Sequence, residues 1–370
     1  MFNYILKYSL LFFLSFSFQL YAQDNIVPTA TAPVPVSSFI KTGNFKSDSA
    51  EVHLKNKDVE GANNFYLEAI KDYKKAAKEA PDSYTAFYLL GNALIKTKDY
   101  KNAVRSLDKA ISMDTTHEEA FRIRGIAQME LGKSKEAMLD LNKALDINYD
   151  DVEADYQRGL LHEKGNDPQS ALSDYSRAIE INPNYENAFL KRGILYYSFK
   201  KDYVLALGDF NKVLEINSNN NDAYLWRGKT KFNGEDFKGA DQDLSRYIKL
   251  DSENIDALIT RGASRLNVNN NSGAVKDFDL VIQFDPKNIV AYMNRGIAKG
   301  GMKQWKPALA DLDMAIKLKF DYSTAYINRA AIKFASGDKT GACKDLKQAD
   351  GLNNEKAYEL IQKYCKDEVK

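Results

Sequence analysis

The sequence contains few of the residues that usually build metal and catalytic sites. Its 370 residues include two cysteines and three histidines, and no histidine has a second ligand three or four positions away. No glycine-rich phosphate loop, GxSxG motif or cysteine–histidine pairing is present. We therefore expect no metal, no cofactor and no catalysis, and an enzyme with an unrecognised site is the weaker alternative.

An excess of charge of one sign is also absent. Lysine and arginine number 52, aspartate and glutamate number 51, and the formal net charge is +1. Proteins that bind nucleic acid or anionic membranes through general electrostatics carry a basic surplus. The balance predicts no nucleic-acid partner.

One apolar run lies near the beginning of the chain. Residues 9–20 read SLLFFLSFSFQL, with Lys7 before them and Ala22 shortly after. The run is too short for a bilayer-spanning helix, so residues 1–22 are interpreted as a cleavable secretory signal, with an uncleaved anchor as the alternative. No integral membrane span is expected after cleavage. The sequence favours export to the periplasm of a Gram-negative bacterium, or else an extracellular or outer-membrane-associated location.

A stretch rich in proline, threonine and serine follows the signal. Residues 23–39 read QDNIVPTATAPVPVSSF and have no helical period. We expect a flexible linker over residues 23–47.

The rest of the chain is dominated by a repeat of 34 residues, lengthened once to 35 near Lys200 and Lys201. We number each repeat so that a recurrent small residue occupies position 8. Alanine recurs at positions 3 and 20, and two apolar patterns of helical period flank a polar turn near position 15. Position 8 is occupied by Gly91, Gly125, Gly159, Gly193, Gly228, Gly262, Gly296 and Ala330.

This pattern resembles the tetratricopeptide repeat, with which it shares the period, the two helices and the small residues at positions 8 and 20. The resemblance implies an all-α, right-handed α-solenoid of about eight helix-turn-helix repeats over residues 82–352. Residues 48–81 are expected to form a degenerate repeat or cap, and residues 353–370 a capping helix.

Position 7 departs from the family pattern because it is arginine where leucine is commonest. Position 23 is aspartate in the same seven repeats, and repeat one lacks both, with Leu90 and Ser106 instead. Both positions lie eight residues from the turn, so we predict a structural ladder of ion pairs. An arginine row that binds an anionic ligand is the alternative. The predicted pairs are Arg124–Asp140, Arg158–Asp174, Arg192–Asp209, Arg227–Asp243, Arg261–Asp277, Arg295–Asp311 and Arg329–Asp345.

The resemblance implies that the first helices line a concave groove, which their positions 5, 9 and 12 face. The stripe is mostly apolar in repeats four to eight and more polar before them, and packing between first helices is the equal alternative. The candidate groove residues are Tyr88, Asn92, Arg122, Tyr156, Leu190, Ile194, Tyr197, Leu225, Phe232, Ile259, Leu266, Met293, Ile297, Ile327 and Phe334.

The two cysteines, Cys343 and Cys365, fall in the last repeat and at the end of the expected cap. Across a turn near residue 352 they come close enough for a disulfide, which we predict as a staple of the cap. A redox function is the alternative.

We therefore expect a non-catalytic scaffold that binds a partner protein in its groove and organises a complex in the cell envelope. A glycan- or peptidoglycan-binding protein that uses the groove tyrosines is the alternative. The oligomeric state and the partner's identity stay open.

Overall fold

The computed structural model describes residues 35–365. The expected signal, the first part of the linker and residues 366–370 lie outside this range. Within it the chain forms nineteen α-helices, one π-helical turn and no strand. None of these helices combines the length and the apolar character needed to cross a membrane. The predicted all-α fold is confirmed.

The helices are α1 (Val36–Lys55), α2 (Val59–Glu79), α3 (Tyr84–Lys96), α4 (Tyr100–Met113), α5 (Glu118–Glu130), α6 (Ser134–Ile147), α7 (Val152–Lys164), α8 (Pro168–Ile181), α9 (Glu186–Leu195), α10 (Tyr203–Ile216), α11 (Asn221–Asn233), α12 (Phe237–Ile248), α13 (Ile255–Asn267), α14 (Asn271–Phe284), α15 (Ile289–Gly301), α16 (Trp305–Leu318), α17 (Ser323–Ser336), α18 (Lys339–Asp350) and α19 (Glu355–Tyr364).

The chain divides into two compact parts, on either side of the junction between Pro81 and Asp82. The first contains the hairpin of α1 and α2. The second, the repeat array, contains α3 to α19, in which each helix packs on the next along the chain. Eight helix pairs with 34-residue spacing make the array an all-α solenoid of repeats.

The first part corrects the expected linker. Residues 36–47 are helical, because α1 begins directly after Pro35 and runs to Lys55. Its Gly43 lies flat against the ring of Tyr73 in α2, and Lys46 Nζ lies 2.8 Å from Asp72 Oδ2. Burial against α2 thus outweighs the weak helical pattern of this segment, and only residues 23–34 of the expected linker lie outside the description.

Each hairpin of the array turns through one residue in the left-handed backbone region. This residue always occupies position 15, the predicted centre of the turn, and a side-chain cap often starts the second helix directly after it. Asp99, for example, accepts a hydrogen bond from the amide of Asn102 at 3.3 Å. The left-handed residues are Lys98, Gly132, Asn166, Lys201, Glu235, Asn269, Lys303 and Gly337.

The small residue at position 8 lets the two helices of a repeat approach closely. In repeat three a Cβ added to Gly159 would lie 2.5 Å from Cε1 of Tyr175, which is itself completely buried. A larger side chain would force α7 and α8 apart.

The extra residue of repeat four is accommodated as a π-helical turn, Tyr196–Lys200, immediately after α9. Its i→i+5 hydrogen bond runs from the amide of Lys201 to the carbonyl of Tyr196. A π-turn holds one residue more than an α-turn, so α10 begins in register with the other second helices.

Candidate partner-binding groove

Successive first helices contact one another, as expected of an inner face. Direct contacts join α3 to α5, α5 to α7, α11 to α13, α13 to α15 and α15 to α17. The predicted groove residues lie on these helices, on α9 and on the π-turn. Most are half-buried, and Met293 is 9% exposed.

Part of the apolar stripe packs between helices. Leu190, Leu225, Ile259 and Leu266 rest on one continuous core that extends from Phe189 to Ala298. Ile297 rests on a second core around Leu312. Packing therefore takes up much of the predicted stripe in repeats four to seven.

The polar candidates of the early repeats already have partners. The Tyr88 hydroxyl donates to Glu119 Oε2 at 3.0 Å, and Arg122 Nε donates to Asp151 Oδ2 at 2.9 Å. Each contact joins one repeat to the next. Asn92 is half-buried on α3.

The tyrosines that would suit a sugar are covered by other aromatic side chains. Tyr156 meets Tyr185 edge-on with ring centroids 5.3 Å apart, and burial raises its pKa to about 12. The ring of Tyr197 lies 5.5 Å from that of Trp226, and its hydroxyl accepts a hydrogen bond from Asn233 at 2.9 Å. These side chains do not present a free flat surface for glycan stacking.

The most open apolar site lies at the C-terminal end of the array. A cleft of about 500 Å³ separates α17 from α19. Two of the predicted groove residues, Ile327 and Phe334, form one wall. The cleft is lined by Ile327, Ala330, Ala331, Phe334, Ala335, Leu346, Leu360 and Tyr364, none of which carries a charge at neutral pH.

The opposite wall was missed in the sequence, because the repeat pattern ends before the cap. Leu360 and Tyr364 belong to α19, which begins 32 residues after α17 instead of 34. Their spacing of four, together with the buried Ala357 and Ile361, gives a helical face that could have been found by continuing the apolar periodicity.

The predicted disulfide is present and fixes this wall. Cys343 of α18 and Cys365, directly after α19, are bonded with a Cα–Cα distance of 5.8 Å. Their exposed fractions are 1% and 0%. They pack with Leu346 and Ile361 in the core beneath the cleft.

All seven predicted arginine–aspartate pairs form, with distances of 2.6–2.8 Å between Nη2 and Oδ1. Each arginine grips the aspartate of its own repeat through Nε and Nη2. Its Nη1 reaches the second helix of the preceding repeat, for example from Arg124 to Asp108 at 2.8 Å. Although burial opposes the charge, the hydrogen bonds to Asp140 and Asp108 raise the pKa of Arg124. The pairs thus join repeats and leave each guanidinium engaged within the protein.

A second cation at position 11 was not recognised in the sequence. Lys231, Lys299 and Lys333 each lie 2.7–2.8 Å from the aspartate of their own repeat. Arg265 lies 2.9 Å from Asp277 in the same way. The same alignment that revealed position 7 would have revealed these residues.

The histidines are engaged in local contacts. His53 Nδ1 lies 2.6 Å from Asp58, His117 Nε2 lies 3.2 Å from Asp114, and His162 lies between Asp167 and Asp174. Within residues 35–365, no three histidine, cysteine or acidic side chains are grouped as metal ligands.

Comparison with known proteins places this geometry in a family. The sequence profile of the tetratricopeptide repeat matches residues 50–118 and 124–186. No curated protein matches the chain significantly.

Three solved structures illustrate the similarity. PilF of Pseudomonas aeruginosa has a TM-score of 0.50 and 16% identity, covering 56% of this chain and 94% of that one. YrrB, described as a TPR protein with an unusual peptide-binding site, has a TM-score of 0.48 and 26% identity, covering 50% and 95%. A tetratricopeptide repeat protein from Parabacteroides merdae has a TM-score of 0.38 and 22% identity, covering 76% and 96%.

Proposed function

Since the chain belongs to the tetratricopeptide repeat family, whose members generally mediate protein–protein interactions, we propose that it is a non-catalytic scaffold. It binds a segment of a partner protein along its first helices, and the C-terminal cleft is the main anchoring site. This binding organises a complex in the cell envelope.

The uncharged cleft is the observation that carries this proposal. Its volume of about 500 Å³ is sufficient for a few large apolar side chains. Burial of one such side chain contributes about 1.5–3 kcal/mol, so two or three anchors supply useful affinity. A segment with apolar residues on one face fits this lining, whereas a charged side chain would lose its hydration without gaining a partner.

Two observations support a location outside the cytoplasm. Residues 1–22 have the pattern of a secretory signal, with Lys7 ahead of a short apolar run. The buried disulfide between Cys343 and Cys365 is of a kind that persists in oxidising compartments. We assign the protein to the periplasm of a Gram-negative bacterium on these grounds.

The test uses peptides selected from a random displayed library on the oxidised full-length chain. Their affinity is then measured for a variant carrying Ala331→Arg and Ala335→Arg. Both alanines are exposed and line the cleft, so arginine is tolerated by the helix and places charge where the apolar anchors would enter. We expect binding to weaken at least ~10-fold, the loss of about one apolar anchor.

The matched control carries Leu139→Arg and Val204→Arg, on the exposed surfaces of α6 and α10. These leucine and valine side chains are 70% and 79% exposed and lie outside the cleft. The control should bind like the unmodified chain. Equal binding by the cleft variant would show that the cleft is not the anchoring site.

A further inference from the structure

The cap helix α19 supplies one wall of the cleft but is weakly held by its own sequence. It has only ten residues, and isolated helices of that length are marginal in water. Asn354 precedes it without capping its amides; the Asn354 side chain instead donates to Ser323 Oγ at 2.9 Å. Helix formation alone therefore does not keep α19 in place.

The disulfide fixes the free end of this helix. The chain holds the beginning of α19 through the short turn after α18, while Cys365 follows Tyr364 directly and ties its end to Cys343. The crosslink closes a loop with a sequence separation of 22. Both half-cystines adjoin the site, because Tyr364 and Leu346 line the cleft.

We propose that partner binding at the C-terminal cleft is controlled by the oxidation state of Cys343 and Cys365. A dithiol reductant transfers two electrons and two protons, so the bond between the sulfurs breaks, two thiols form and the reductant becomes a disulfide. Without the crosslink α19 separates from α18, and the cleft loses Leu360 and Tyr364. This inference rests on the proposed function.

Burial of the sulfurs determines when the switch can act. A thiolate must reach a sulfur atom in line with the bond, and both cysteines are almost completely inaccessible. The reductant therefore acts during transient fraying of α19 or before the cap docks. Oxidation during folding builds the cleft, and the folded protein then retains it.

The experiment compares the oxidised full-length chain, the chain treated with dithiothreitol, and the variant Cys343→Ala with Cys365→Ala. Amide hydrogen exchange reports the opening of α19, and a peptide selected on the oxidised chain reports the cleft. We expect the amides of Ile361–Tyr364 to exchange ~100-fold faster without the crosslink, as for loss of a loop of this size. We also expect peptide affinity to fall at least ~10-fold.

Exchange in α13 and α14 should stay unchanged, and reoxidation should restore both protection and affinity. If α19 keeps its protection after reduction, or opens while the peptide binds as before, the inference is overturned and the proposed function stands. If no selected peptide depends on Ala331 and Ala335 even in the oxidised chain, the proposed function fails and the inference fails with it.

Discussion

Position 4 of the first helix is apolar or aromatic in seven of the eight repeats, and it is Asp155 in the third. The carboxyl of Asp155 is completely buried, with Arg177 Nε 3.2 Å from Oδ2 and Arg158 Nη2 3.4 Å from Oδ1. Burial raises its pKa to about 6, although both guanidinium groups oppose the shift and Asp174 and Asp151 add to it. The other seven residues are Phe87, Phe121, Phe189, Tyr224, Leu258, Tyr292 and Tyr326.

The first prediction concerns the pH dependence that Asp155 introduces. Its pKa is higher in the folded chain than the ~4 of an unfolded one, so the folded state binds the extra proton as pH falls through about 6. The favourable contribution is complete below about pH 4 and lost above about pH 6. Between about pH 7.5 and 4.5 the unmodified chain should gain ~2 kcal/mol from this group, and Asp155→Asn should not.

The measurement is the free energy of urea unfolding at both pH values, taken as the difference between variant and unmodified chain. Asp150→Asn, an exposed carboxyl in the same region, is the control and should show a difference near zero. A constant difference for Asp155→Asn across the range would mean that Asp155 does not titrate there.

The second prediction concerns the left-handed turn residues. Glu235 has φ of 63° and Gly132 has φ of 77°, with no atom within 4 Å of a Cβ added to the glycine. A side chain in this region costs about 1 kcal/mol, so Glu235→Gly should stabilise the chain and Gly132→Ala should destabilise it by about that amount. Thermal unfolding followed by circular dichroism should move in opposite directions for the two variants. Shifts of the same sign would contradict the backbone argument.

At the scale of helices, the ion pairs differ in how many cations each aspartate holds. Asp277 binds both Arg261 and Arg265, at 2.6 and 2.9 Å. Asp140 binds Arg124, which keeps Asp108 as a second carboxylate partner. Removal of Asp277 therefore leaves more positive charge without a carboxylate in the interior.

The third prediction follows from that difference. Asp277→Asn should lower the free energy of unfolding by about 3–5 kcal/mol, the usual cost of breaking a buried pair by removing one partner. Asp140→Asn should cost clearly less, because Arg124 retains Asp108. Denaturant unfolding of the two variants in parallel measures the difference, and equal losses would show that the second cation adds nothing.

The helices also show what the sequence could and could not predict. The repeat predicted the hairpins, the turn position and the extra residue of repeat four, because each depends on spacing. It did not predict α1, since Gly43 and Tyr73 are 30 residues apart, whereas Gly159 and Tyr175 are 16 apart. The cleft was only half predicted, because α19 breaks the register by two residues and its contacts depend on packing that no period describes.

At the scale of the whole array, these pairs make local stability uneven. A solenoid is stabilised by the sum of its repeats and their neighbour contacts, so each repeat opens with its own free energy. Repeat one has Ser106 where the other repeats have the buried aspartate. Repeats five to eight hold two cations on each aspartate. The buried disulfide adds a covalent tie at α18.

The fourth prediction is a gradient of amide protection along the oxidised array. Among the second helices, α4 should exchange fastest and α12, α14, α16 and α18 slowest, with α6 and α10 between them because Asp140 and Asp209 each hold one cation. Native-state hydrogen exchange with mass spectrometry measures all of these helices in one sample. A uniform rate would mean that the array opens as a single cooperative unit. In that case the number of cations on each aspartate would affect total stability without setting which repeat opens first.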